Sequence, residues 1–110
     1  MVTHEEFRSL ALSLPEVEER EHMGHPDFRV AGKIFATLDY PERGWGMVDL
    51  IPEQQADFME IQPDGFGPAP GGWGKNGSTL VRLSEVSDTL ISAAITAAWS
   101  KRAPARLIKS

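Results

Sequence analysis

The sequence predicts a two-layer α+β sandwich: an antiparallel sheet with helices packed on one face. Three observations carry this. The run Phe28-Arg-Val-Ala-Gly-Lys-Ile-Phe-Ala-Thr-Leu38 holds two apolar-alternating segments around Ala31-Gly32, the signature of a tight hairpin. An amphipathic helix precedes it and another closes the chain. Strands joined by hairpins pair antiparallel, and their apolar face then needs helices to cover it.

The elements follow in order. Thr3-His-Glu-Glu6 forms a capping box, and Phe7, Leu10, Ala11 and Leu14 make one helical stripe. Pro15 stops this helix, which is expected over about residues 3–13. Val17 to Gly24 reads as a charged, edge-like strand, and Gly24-His-Pro26 as a turn. Strands are expected at 28–31, 33–39 and 45–51, the last with Trp45, Met47 and Asp49 on one face and Val48 and Leu50 on the other. Pro52 opens a second helix, whose apolar side is Ala56, Phe58, Met59 and Ile61, and Pro63 ends it. Residues 63–78 hold six glycines and three prolines, which argues against a regular helix there. One short strand is conceivable in that stretch, with Phe66 and Trp73 as burial anchors. Thr79 to Leu83 reads as a strand. Ser84 or Ser87 caps the last helix, whose stripe is Ile91, Ala94, Ile95, Ala98 and Trp99.

Composition bounds the chemistry. The 110 residues suit one domain, here spanning 1–110. With no cysteine, disulfides and Cys-ligated metal centres are excluded. No apolar run reaches the roughly 18 residues of a membrane span, and Met1 to Glu6 does not resemble a signal peptide. A cytoplasmic monomer is expected. The net charge of −5 is uneven: residues 1–74 carry −9 and residues 75–110 carry +4. Such asymmetry suits either a basic face for an anionic partner or two differently solvated halves of one domain.

The order of elements and residues resembles the MmcQ/YjbR family. The resemblance rests on Leu12-Ser-Leu-Pro15, Val17-Glu-Glu-Arg20 with Gly24 after it, and Phe28 to Ala36. It continues with Pro52-Glu-Gln-Gln-Ala56, and Lys75 before Val81-Arg-Leu83. It implies a frataxin-type (CyaY-like) fold and a DNA-binding module built from two hairpin wings. It implies no cofactor and no catalytic set. Many members place a tryptophan near the position of Ser78, whereas here the nearest is Trp73.

Candidate sites follow. Gly71-Gly-Trp-Gly-Lys-Asn-Gly77 is glycine-rich, but Lys75 is followed by Asn76 and then a strand, so it is not a nucleotide-hydrolysing phosphate loop. Its alternatives are a loop packing Trp73 on the sheet or a DNA-contacting wing with Lys75 and Asn76 at its tip and Arg82 at its base. Lys33 marks the tip of the other wing, with Arg29 beside it; the plainer reading is a soluble hairpin turn. Lys101 and Arg102 would add backbone contacts, or simply favour a helix C-terminus. A second class of function is a protein- or small-ligand-binding surface around Trp45 and Trp73. A third is weak divalent-metal binding on an acidic ridge of Glu5, Glu6, Glu16, Glu18, Glu19 and Glu21, against the alternative of a solvated charged strand. His4, His22 and His25 lack the spacing of a zinc site, and no nucleophile–base arrangement occurs, so an enzyme is not expected.

Overall fold

The computed structural model describes residues 1–108. The elements run α1 (His4–Leu12), β1 (Val17–His22), β2 (His25–Val30), β3 (Lys33–Leu38), β4 (Trp45–Asp49), α2 (Pro52–Ile61), β5 (Phe66–Pro68), α3 (Gly71–Lys75), β6 (Ser78–Arg82), α4 (Asp88–Arg102) and α5 (Ala105–Ile108). The six strands form one antiparallel sheet in the order β1-β2-β3-β4-β6-β5.

Local chemistry explains the ends. The Thr3 capping box is formed, Thr3 Oγ1 accepting from the Glu6 N–H and Glu6 Oε1 accepting from the Thr3 N–H. Ser87, not Ser84, caps α4 by accepting from the Leu90 N–H. The two tight hairpins turn through Met23-Gly24 and Ala31-Gly32, all four residues at positive φ. Turns of that handedness match the twist of paired strands.

One face of the sheet is the core. Phe7 and Ala11 of α1 and the α4 stripe Ile91, Ala94, Ile95, Ala98 and Trp99 cover Phe28, Val30, Leu38, Val48 and Val81. Trp99 Nε1 also donates to the Pro15 carbonyl, tying the last long helix to the end of the first. α2 docks more shallowly, with no buried residue, through Phe58 against Phe66 at 5.1 Å between ring centroids.

The glycine-rich stretch departs from expectation. It contains both the short strand β5 and a helical turn, α3, despite three glycines in five residues. Tertiary contacts override propensity there. Gln55 Nε2 donates to the Gly74 and Ser78 carbonyls, 3.0 Å each, clamping α3 and β6 to α2. Gly74 leaves no room for a Cβ, which would fall 1.9 Å from the Ala69 carbonyl oxygen. Phe66 is buried as expected, but Trp73 is 76% exposed and anchors nothing.

Candidate functional site: a groove on the open sheet face

The uncovered face of the sheet carries the site. Register places Asp27, Thr37, Met47 and Leu80 in one row on this face, opposite the core row Phe28, Ala36, Val48 and Thr79. A bulge sits between them. Phe28 pairs with Ala36 but Arg29 pairs with Ile34, so Phe35 is the extra residue. The slip brings Ile34 to the open face and an apolar floor results.

A groove of about 600 Å³ runs over this floor. Ile34, Thr37 and Met47 line its base. His22, Met23 and Tyr40 stand at one end, and Trp73, Asn76, Asp49, Lys101 and Arg102 at the other. Thr37 is buried and its Oγ1 has no hydrogen-bond partner among the described residues. An unpartnered buried hydroxyl costs stability and calls for an explanation.

The charged end is specific. Lys101 Nζ lies 2.9 Å from Asp49 Oδ1 and also donates to the Leu50 carbonyl. Arg102 Nε donates to Asp49 Oδ2 at 2.6 Å. Two cations share one carboxylate, leaving a net charge of +1 beside Trp73. At the rim of the same face, Asp27 is wholly buried and accepts two hydrogen bonds from Arg29, at 2.8 and 3.0 Å, with His22 Nδ1 2.7 Å away. Burial pushes the Asp27 carboxyl up, but the hydrogen bonds from Arg29 and His22 outweigh it and hold the group below its ordinary range. The same pairing raises Arg29.

The expected nucleic-acid set is therefore dispersed. Lys33, Lys75 and Asn76 lie toward one end of the sheet, because Lys33 extends past Asp49 in register and Asp49 pairs with Ser78. Arg82 lies at the other end, opposite Trp45 and stacked on its ring at 4.5 Å. Arg29, Lys101 and Arg102 are bound to Asp27 and Asp49. Lys33 and Lys75 alone among the cations of this set stay exposed without ion pairs or stacking among the described residues, and Asn76 is exposed beside Lys75. Trp45 and Trp73 do not form one surface either: Trp73 lines the groove and Trp45 a separate concavity. The acidic ridge is likewise not assembled. Glu5 and Glu19 pair with Arg8, Glu18 with Arg20 and Glu16 with Arg106, while Glu6 serves the cap. Among the described residues no three His, Asp or Glu converge as a metal site.

Sequence reasoning passed over Thr37, Met47, Ile34 and Asp27. A signal existed for Asp27: a carboxylate two residues before Arg29 on the same strand puts both on one face.

The fold and groove define a small α+β sheet domain with one helix-covered and one open face. The YjbR family model matches residues 12–101, and the chain belongs to that family. A solved structure of similar fold is that of Deinococcus radiodurans protein DR2400, a DUF419 domain protein. The identity is 18%, the TM-score 0.74, and the match covers 90% of this chain and 77% of that one. No curated protein matches the sequence. No helix among the described residues is long and apolar enough to cross a membrane.

Proposed function

We propose that this protein is a non-enzymatic binding module whose ligand occupies the open-face groove. The ligand class is a small aromatic anion. The observation that supports this is the groove itself: an apolar floor ending at an exposed indole beside a net-positive Asp49-Lys101-Arg102 cluster. Large exposed aromatics rimmed by polar groups mark binding surfaces. Trp73 would stack on the ring, the cations would take the anion, and Thr37 would gain a partner.

Anilinonaphthalene sulfonate is a suitable probe. It is expected to bind the native protein at one saturable site. Trp73→Ala should weaken binding by roughly five- to tenfold, the scale of one aromatic contact. Met47→Glu, placing a negative charge on the groove floor, should abolish it. Affinity unchanged in both variants would refute the reading.

A DNA-binding module is the second reading, supported by Lys33 and Lys75 standing unpaired toward one end of the sheet. Two phosphate contacts give a salt slope near −2, so affinity for a labelled duplex should fall only about tenfold between roughly 50 and 200 mM salt. A slope of −5 or steeper in fluorescence anisotropy would require a basic footprint that the paired arginines do not provide. Binding abolished by Lys33→Ala with Lys75→Ala would favour this reading; no binding at low salt would remove it.

A further inference from the structure

The second concavity, of about 670 Å³, lies at the opposite end of the sheet from the Asp49 cluster. Arg43, Arg82, Trp45 and Leu83 line it, with the His4–Asp39 pair at its edge, 3.2 Å between His4 Nε2 and Asp39 Oδ2. Neither Arg43 nor Arg82 has a carboxylate within ion-pair distance among the described residues, unlike Arg8, Arg20, Arg29, Arg102 and Arg106.

The two arginines are held together by the backbone. The Leu83 N–H donates to the Gly44 carbonyl at 3.0 Å, joining the residues that directly follow them. Trp45 supports the Arg82 guanidinium from one side, at 4.5 Å, which leaves its N–H edge available. Gly44, at φ +89, lets the chain turn there.

We infer that this concavity binds a phosphoryl dianion. Two unpaired guanidinium groups match a double negative charge, and their planar forks match phosphate oxygens. Asp39 is already engaged by His4, so it opposes the anion less than a lone carboxylate would. The Trp45 and Leu83 side chains offer an apolar wall for the organic body of a phosphate monoester; free inorganic phosphate would use the arginines alone. This inference does not depend on the groove.

The test is ¹H–¹⁵N NMR of the tryptophan indole and arginine Nε–H signals, titrating inorganic phosphate and the non-aromatic monoester n-butyl phosphate at ionic strength held constant with sodium chloride. Saturable shifts are expected at Trp45, Arg43 and Arg82. Tighter binding of n-butyl phosphate supports a monoester ligand; equal affinity supports the site with free phosphate as its ligand. Arg43→Ala and Arg82→Ala should each weaken binding about tenfold or more, the scale of a charge-assisted contact. Arg82→Lys should weaken it several-fold, since it keeps the charge and loses the fork. Trp73→Ala, which lies outside this concavity, should leave the phosphate-induced shifts at Trp45, Arg43 and Arg82 in place. Shifts that do not saturate, that sodium chloride alone reproduces, or that survive both alanine variants would overturn the inference. So would their loss in Trp73→Ala, which would move the anion to the groove.

Discussion

Gly77→Ala is expected to lower folding stability by about 3–5 kcal/mol, the range of overpacking combined with a strained backbone. Gly77 has φ +108, outside the range that side chains favour. A Cβ there would fall 1.7 Å from the Leu50 carbonyl oxygen and 2.7 Å from its carbon. Those atoms cannot step aside cheaply. The Leu50 N–H donates to the Gly77 carbonyl at 3.1 Å, and the Leu50 carbonyl accepts from Lys101. Relief would loosen the end of β4, the entry to β6 and the Asp49 cluster together. Gly71→Ala is the matched comparison: its φ of +66 is also positive, but a Cβ there meets nothing within 4 Å. It should cost only about 1 kcal/mol of backbone strain. Urea unfolding of the two variants checks both values. A loss below 1 kcal/mol at Gly77 would show that the β4–α2 junction yields.

Arg29→Ala should cost about 3 kcal/mol at neutral pH, the lower end of what breaking a buried ion pair costs. Arg29 is itself partly exposed; the damage falls on Asp27, which keeps only His22. The pH dependence carries the sign. The folded-state pKa of Asp27 is depressed, so its contribution is present above the unfolded value near 4 and is lost as pH falls through the folded value. Without Arg29 the strongest downward pull is gone, and burial moves the folded pKa of Asp27 up from its place in the native protein. Acidification then neutralises a poorly paired buried charge, and the gap between variant and native protein should narrow as the pH falls through about 4 toward the depressed native value. Thermal melts from about pH 3 to 7 would show this; a gap that stays constant would mean that Asp27 is not the group involved.

The core was legible because its periodicities are strict. Phe7 and Ala11 on α1, and Ile91 to Trp99 on α4, show helical spacing in the chain itself. Strand faces around Val48 and Leu50 followed from alternation. The groove was not legible, because it depends on one extra residue, Phe35, that reverses the alternation and sends Ile34 to the other face. No local pattern marks that slip. α3 was hidden by its glycines, whose helical turn is held by Gln55, 19 residues away in sequence from Gly74. The dispersal of the basic residues had the same origin. Lys101 and Arg102 reach Asp49 across 52 and 53 residues, a pairing made by the docking of α4 and invisible in charge counts.

The two margins of the sheet have a consequence for how copies of this chain meet. An outer strand presents unsatisfied backbone groups and invites another chain to add to it. Here one margin is β1, whose Glu18, Glu19, Arg20 and Glu21 are all exposed, and the other is the three-residue β5, which ends at Pro68. An approaching identical β1 would bring one charged, net-negative run against another, and Pro68 has no N–H to offer. The exposed charges of β1 and the proline of β5 thus both oppose strand addition by an identical chain.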